Sequence, residues 1–152
     1  CIARAVAYAP FCDLIFIEEK AKIGDPHVKV GLVAGDGGAI IWPQLLGFPR
    51  AKEFLMTGRL LTGAEAADLG LVNYALPAEE LDARVDELCE ELLSGNTEAI
   101  RWTKVTVNLE LKRIAHALMD PGIAYESVSV RTEAHRRAVN EMKARIAAKA
   151  KE

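Results

Sequence analysis

The stretch from Gly24 to Gly47, GDPHVKVGLVAGDGGAIIWPQLLG, constrains this chain more than any other feature. Asp25-Pro26 marks a turn, because proline fixes its own φ and restricts the residue before it. Gly31 through Gly38, GLVAGDGG, is a glycine-rich loop. Such a loop permits positive φ and lets a ligand approach the backbone closely. A helix starting near Gly37 would aim free amides at an anion or a developing oxyanion. The apolar pattern from Ala39 to Leu46 fits that helix, and Gly47 closes it. Pro43 suits the first turn of a new helical segment better than a helix interior.

Nucleotide binding is the first reading to test, and it fits poorly. Gly35-Asp36-Gly37 supplies two glycines of G-x-G-x-x-G, but Ile40 stands at the third position. Pro26, His27 and Lys29 make a poor preceding strand, and no Gly-Lys-Ser/Thr follows the loop. A formal net charge of −3 gives no electrostatic case for a nucleic-acid or membrane-surface partner. No apolar run approaches the roughly 18–20 residues that a bilayer span needs, and the N-terminus lacks the pattern of a secretory signal. Cys1, Cys12 and Cys89 have no Cys-x-x-Cys or Cys/His spacing, so neither a disulfide framework nor structural zinc is expected. His116 and His135 have no ligand spacing to each other or to Cys89, and no metal is expected. A reducing cytoplasm is the expected compartment. At 152 residues, 51% hydrophobic and 27% charged, the composition is that of a soluble globular domain. The chain begins at Cys1 in Ala-rich sequence, as if it were a piece of something longer.

The rest of the chain reads as a small α/β portion followed by helices. Leu14 to Ile17 is short and apolar enough for a buried strand. Pro49 to Met56 reads as a helix ended at Gly58. Thr62-Gly63-Ala64-Glu65 is a capping box whose helix stops at Gly70, and Val72 to Leu76 reads as a strand closed by Pro77. Leu81, Val85, Leu88 and Leu92 recur at helical spacing. Gly95-Asn96 separates that helix from one starting near Thr97, Pro121-Gly122 interrupts a later helix, and a charged helix runs from Glu133. Trp42 and Trp102 fall in apolar helical patterns, as core or subunit-contact residues.

Taken in order, these pieces resemble the enoyl-CoA hydratase/isomerase (crotonase) superfamily. The resemblance rests on CDLIFIEEKAKIG at Cys12–Gly24, the GLVAGDGG bend, the segment Phe54 to Gly58, the helix end at Gly70 to Val72, and RTEAHRRAVNEMKARI from Arg131 to Ile146. It covers nearly the whole chain but only the second half of a typical member. It implies an α/β fold of stacked ββα turns, here partial, with residues 1–77 as the C-terminal part of the core. Residues 78–152 would be a helical oligomerisation region that packs copies into a homotrimer or a dimer of trimers. It also implies an acyl-CoA substrate, with coenzyme A as part of that substrate rather than a separate cofactor. The thioester enolate would be held by two backbone amides, an instance of preorganised electrostatic stabilisation.

Residue by residue, the resemblance places the second oxyanion amide at about Arg4, where members of the family carry a glycine-rich stretch. Hydratases place their first catalytic Glu where this sequence has Ala7, and their second where it has His27 after Pro26. Gly35 lies in the backbone bend that faces the acyl group. His27 is a candidate general acid or base; a loop imidazole bonded to a backbone carbonyl is the other reading. Asp36 is a candidate for proton transfer or nucleophilic attack; N-capping of the following helix is the other reading. Asp25 reads as a turn-former. Arg136, Arg137, Lys143 and Arg145 read as a solvated face salt-bridged to the interleaved Glu133 and Glu141, or as cations that meet CoA phosphates. Two functions stand side by side: an acyl-CoA lyase or isomerase, and a non-catalytic fragment that keeps the oligomer surface.

Overall fold

The computed structural model describes residues 9–149. Two short sheets frame the first half. β1 (Phe16–Glu18) runs parallel to β4 (Tyr74–Leu76), with Phe16 opposite Tyr74 and Glu18 opposite Leu76. β2 (Lys22–Ile23) runs antiparallel to β3 (Leu61–Thr62). The strand expected at Leu14–Ile17 thus starts two residues later, because the register with β4 sets its limits. Ile15 adds a further link, its carbonyl accepting from the Asn73 and Tyr74 amides and its own N–H donating to Asn73 Oδ1.

Three short helices close the core over these strands: α1 (Gly38–Leu46), α2 (Phe48–Thr57) and α3 (Gly63–Asp68). α1 is the apolar centre, with Ile40, Ile41, Trp42 and Leu46 all buried. The Trp42 ring meets Phe54 of α2 at 5.7 Å between centroids, and Leu61, Ala66, Leu71 and Val72 complete the cluster. Pro43 lies inside α1 rather than in a first turn. Its own carbonyl still accepts from Gly47 N–H, so the helix runs on past the ring. Burial of the residues on either side outweighs the local penalty of an interior proline. The capping box forms as expected, with Thr62 Oγ1 accepting from Glu65 N–H and Glu65 Oε2 accepting from Thr62 N–H. Gly58 (φ 60) and Gly70 (φ 79) end α2 and α3 in the left-handed region.

The second half is helical: α4 (Ala78–Ser94), α5 (Thr97–Ser129) and α6 (Glu133–Lys149). Asn96 caps α5 through Ala99 N–H. Pro121-Gly122 does not interrupt α5, which passes through both residues unbroken. The reason is tertiary, since Gly122 is where the glycine-rich loop packs on this helix. Neither α4 nor α5 buries a single residue. Trp102 is 69% exposed, so it is not a core residue of this chain, whereas Trp42 is 1% exposed and is one. The charged face of α6 is solvated, but among the described residues it forms no ion pair. Among the described residues no helix is long and apolar enough to cross a membrane.

Candidate active site

The site is built on the turn after β2. A one-turn 3-10 helix over His27–Val30 follows Pro26, and Gly31 ends it with a left-handed φ of 70°. α6 clamps this turn from outside, as His135 Nδ1 lies 2.6 Å from the Val30 carbonyl oxygen. Ser129 at the end of α5 adds a second tie, its Oγ accepting from Val33 N–H at 3.2 Å.

Beyond the turn, the glycines act as points of close packing. A Cβ on Gly35 would stand 2.1 Å from the carbonyl oxygen of Gly122, and one on Gly122 would stand 2.6 Å from the Gly35 oxygen. Loop and helix therefore meet backbone to backbone, which no larger residue permits. Gly38 plays the same part on the other side, where a Cβ would stand 2.0 Å from Asp25 Oδ2.

These contacts gather one imidazole and three carboxyl groups. Asp25, only 5% exposed, has Oδ1 at 2.5 Å from His27 Nδ1, and the same oxygen accepts the His27 backbone N–H at 3.2 Å. On the far side of the ring, His27 Nε2 lies 3.6 Å from Asp36 Oδ2. Glu126 approaches from α5, and its charge is felt by His27. Asp25 Oδ2, Asp36 Oδ1 and Glu126 Oε2 are buried without a hydrogen-bond partner. Such groups carry a desolvation penalty that protonation or a ligand relieves.

The electrostatics follow from this crowding. The hydrogen bond to Asp25 raises the His27 pKa above its ordinary value, and the charges of Asp25, Asp36 and Glu126 add to it against the opposing effect of burial. Burial also raises the Glu126 carboxyl, helped by the nearby charge of Asp36. His27 thus holds its proton more tightly than a free imidazole does, as suits a group that transfers one. Asp25, His27 and Asp36 could each offer one ligand atom within 4.8 Å of the others. His27 Nδ1 and Asp25 Oδ1 already satisfy each other, which fits proton sharing better than ion coordination. Beside the cluster, a cavity of about 430 Å³ opens between the His27 turn and α6, bordered by His27, Lys29, Val30, Leu32, Met142 and Arg145.

Of the residues singled out in the sequence, His27 and Asp36 come together, and Gly35 is buried against α5. Arg4 and Ala7 lie outside the described residues. His27 is not bonded to a backbone carbonyl; its Nδ1 faces a carboxylate instead. Asp36 does not cap α1, because the N-cap is Gly37 (φ 139) and no side chain bonds the helix start. Sequence reasoning missed two members. Asp25 could have been found from its spacing, since a carboxylate two residues before a histidine is placed to reach its amide and ring. Glu126 carries no local signal at all.

The fold and the loop geometry define a class, the crotonase fold, here present in part. The chain belongs to the enoyl-CoA hydratase/isomerase family, whose model matches residues 1–140. It is 36% identical over 107 residues to the enoyl-CoA isomerase/hydratase fer4 of Mycosarcoma maydis, covering 67% of this chain and 39% of that protein. An enoyl-CoA hydratase/isomerase from Mycobacterium paratuberculosis superposes with a TM-score of 0.83 at 33% identity, over 91% of this chain and 55% of that one. A β-diketone hydrolase from the cyanobacterium Anabaena, solved with (S)-3-oxocyclohexyl acetic acid, superposes with a TM-score of 0.76 at 33% identity, over 85% of this chain and 50% of that one. The chain thus spans about half the length, or less, of these relatives.

Proposed function

We propose that this chain supplies the C-terminal part of an enzyme that acts on an acyl-CoA thioester through an enolate, with His27 as general acid and base. The observation that carries the reading is the imidazole of His27 set between Asp25 and Asp36 in the turn where the family's hydratases carry a glutamate. With Ala7 at the other position, both hydratase glutamates are absent, so proton transfer at carbon replaces paired activation of water. His27 takes the α-proton at Nε2, and the C–H electron pair moves onto the thioester oxygen. Two backbone amides stabilise that oxyanion, one of them at Arg4, and Gly35 lies in the bend beside the acyl group. The imidazolium, held by the charge of Asp36, then returns the proton to the same or a conjugated carbon, which gives exchange or a double-bond shift. Coenzyme A arrives as part of the substrate, no separate cofactor enters, and the cytoplasm is the proposed compartment.

A test needs no knowledge of the natural acyl chain. Butyryl-CoA incubated with the chain in D2O should lose proton signal next to the thioester, and His27→Gln should abolish the loss while leaving the fold intact. Binding is checked by calorimetric titration with free CoA as control. Exchange that survives in the His27 variant would sink the reading, and no acyl-dependent binding by the folded chain would turn it toward the non-catalytic assembly fragment.

A second reading has a specific observation in its favour, the likeness to the Anabaena β-diketone hydrolase. Here His27 takes a proton from water, the hydroxide oxygen bonds to one carbonyl carbon, and the adjacent C–C bond breaks. Its electron pair leaves as an enolate of the second carbonyl, which the imidazolium protonates on carbon. Loss of the ultraviolet absorbance of an enolised β-diketone, without any CoA, distinguishes this from the first reading.

We further propose that residues 78–152 assemble copies of the protein, as a homotrimer or a dimer of trimers. Support comes from α4 and α5, which bury no residue and leave Trp102, Val107, Leu109 and Tyr125 exposed.

A further inference from the structure

The geometry points to Asp25 as the positioning residue for His27: its buried carboxylate holds the imidazole with Nδ1–H on Asp25 Oδ1 and Nε2 turned to Asp36. The inference rests on His27 as the acid/base but concerns a residue that would touch no substrate. Four observations carry it. Asp25 Oδ1 lies 2.5 Å from Nδ1, and it also accepts the His27 backbone N–H, so one oxygen fixes both the ring and the residue that bears it. At 5% exposure the carboxylate is shielded from water, which strengthens a charge-assisted bond. Gly38 leaves room for the other oxygen, because a Cβ there would stand 2.0 Å from Asp25 Oδ2. Pro26 between the two residues fixes its own φ and so stiffens the link.

The chemical consequence is a choice of tautomer. Free neutral imidazole carries its proton on either nitrogen, and the bond made by one nitrogen decides the state of the other. With Nδ1 donating to Asp25, the neutral ring has its lone pair at Nε2, the nitrogen that faces Asp36. The groups that face the ring are Asp25, Asp36 and Glu126, and Lys29, Glu141 and Arg145 border the cavity beside it. A turn-former alone would accept the backbone amide and leave the ring free.

The test is ¹⁵N NMR of the imidazole nitrogens in the full chain, titrated with pH, and it needs no substrate. In the wild type the neutral His27 ring should show a protonated Nδ1 and a bare Nε2. Asp25→Asn, which keeps the shape and removes the charge, should make His27 titrate at lower pH than in the wild type. Asp25→Ala should shift the neutral ring toward the Nε2–H form. Asp36→Asn is the control and should leave the Nδ1–H form in place. A wild-type ring protonated on Nε2, or a folded Asp25→Asn chain whose His27 titrates unchanged, would overturn the inference. If Asp25→Ala does not fold, the Asp25→Asn titration decides. Because the readout is the ring itself, loss of the catalytic reading through an active His27→Gln variant would leave this result standing.

Discussion

At the scale of single residues, the cluster around His27 makes stability a function of pH, and the sign can be worked out. The folded protein raises the His27 pKa above the reference 6.5, so it holds that proton more tightly than the unfolded chain does. The resulting stabilisation is complete below 6.5 and is lost as pH rises through the folded value. Glu126 is raised above its reference 4.5 by burial, so its ionisation destabilises the fold from about that pH upward. Both slopes point the same way, and thermal melting should show stability falling from mildly acidic to alkaline pH. Glu126→Gln should remove the lower part of that fall and slightly shrink the upper part, because the Glu126 charge is one of those that raise His27. A melting temperature flat across this range would contradict the raised values. Gly38→Ala tests the same cluster from the backbone, because its Cβ would drive Asp25 out of place. Overpacking of this kind costs about 1–3 kcal/mol, and the His27 titration should move with it. Much of this was legible in sequence only as candidates. His27 and Asp36 stood out because a titrating side chain in a glycine-rich bend is unusual. In sequence Asp25 shows only as a turn residue, because its burial depends on Gly38 and α1, which local sequence does not reveal. Glu126 was invisible, since only the packing of α5 on the loop brings it there.

Among the elements, the contact that organises the site is the crossing of the glycine-rich loop and α5. Gly35 and Gly122 approach so closely that a methyl group on Gly122 would stand 2.6 Å from the Gly35 oxygen, and backbone must move to admit it. Gly122→Ala should lower stability by about 1–3 kcal/mol, even though alanine is the better helix former. An unchanged or raised midpoint in urea would show that the loop does not seat on α5 in this way. The same change should displace Glu126, one turn further along α5, and so alter the His27 titration. Thr62→Ala is a local comparison: loss of the capping box should cost about 1 kcal/mol with no effect on His27. This contrast explains what the sequence could say about elements. The capping box, Gly58, Gly70 and the Gly95-Asn96 break act within a few residues, and the structure forms each where the local sequence places it. Pro43 and Pro121 signal helix boundaries in the sequence because interior proline is unfavourable locally. In α1 the buried Ile40, Ile41, Trp42 and Leu46 override that cost. In α5 the helix continues through Pro121 to the glycine that the loop needs.

For the whole molecule, the two halves differ in how they treat apolar surface. The first half closes a core around Trp42 and Phe54, whereas α4 and α5 bury nothing and expose Leu93, Trp102, Val107, Leu109 and Tyr125. Large apolar side chains left exposed along two helices that bury no residue support a site of contact, which is why assembly of copies is proposed for residues 78–152. The two tryptophans report on this independently, since Trp42 is 1% exposed and Trp102 is 69% exposed. In Trp42→Phe, the remaining fluorescence comes from Trp102 alone. If copies meet through α5, that emission should shift to the blue as concentration rises, in step with a larger species in sedimentation. In Trp102→Phe, the emission of Trp42 should stay constant over the same range, because its surroundings lie within one chain. The pair of variants also separates assembly from unfolding, which would shift Trp42 to the red. A chain that sediments as a monomer at every concentration, with Trp102 emission fixed and red, would remove the assembly proposal. It would leave the His27 cluster untouched, since every group in that cluster comes from a single chain.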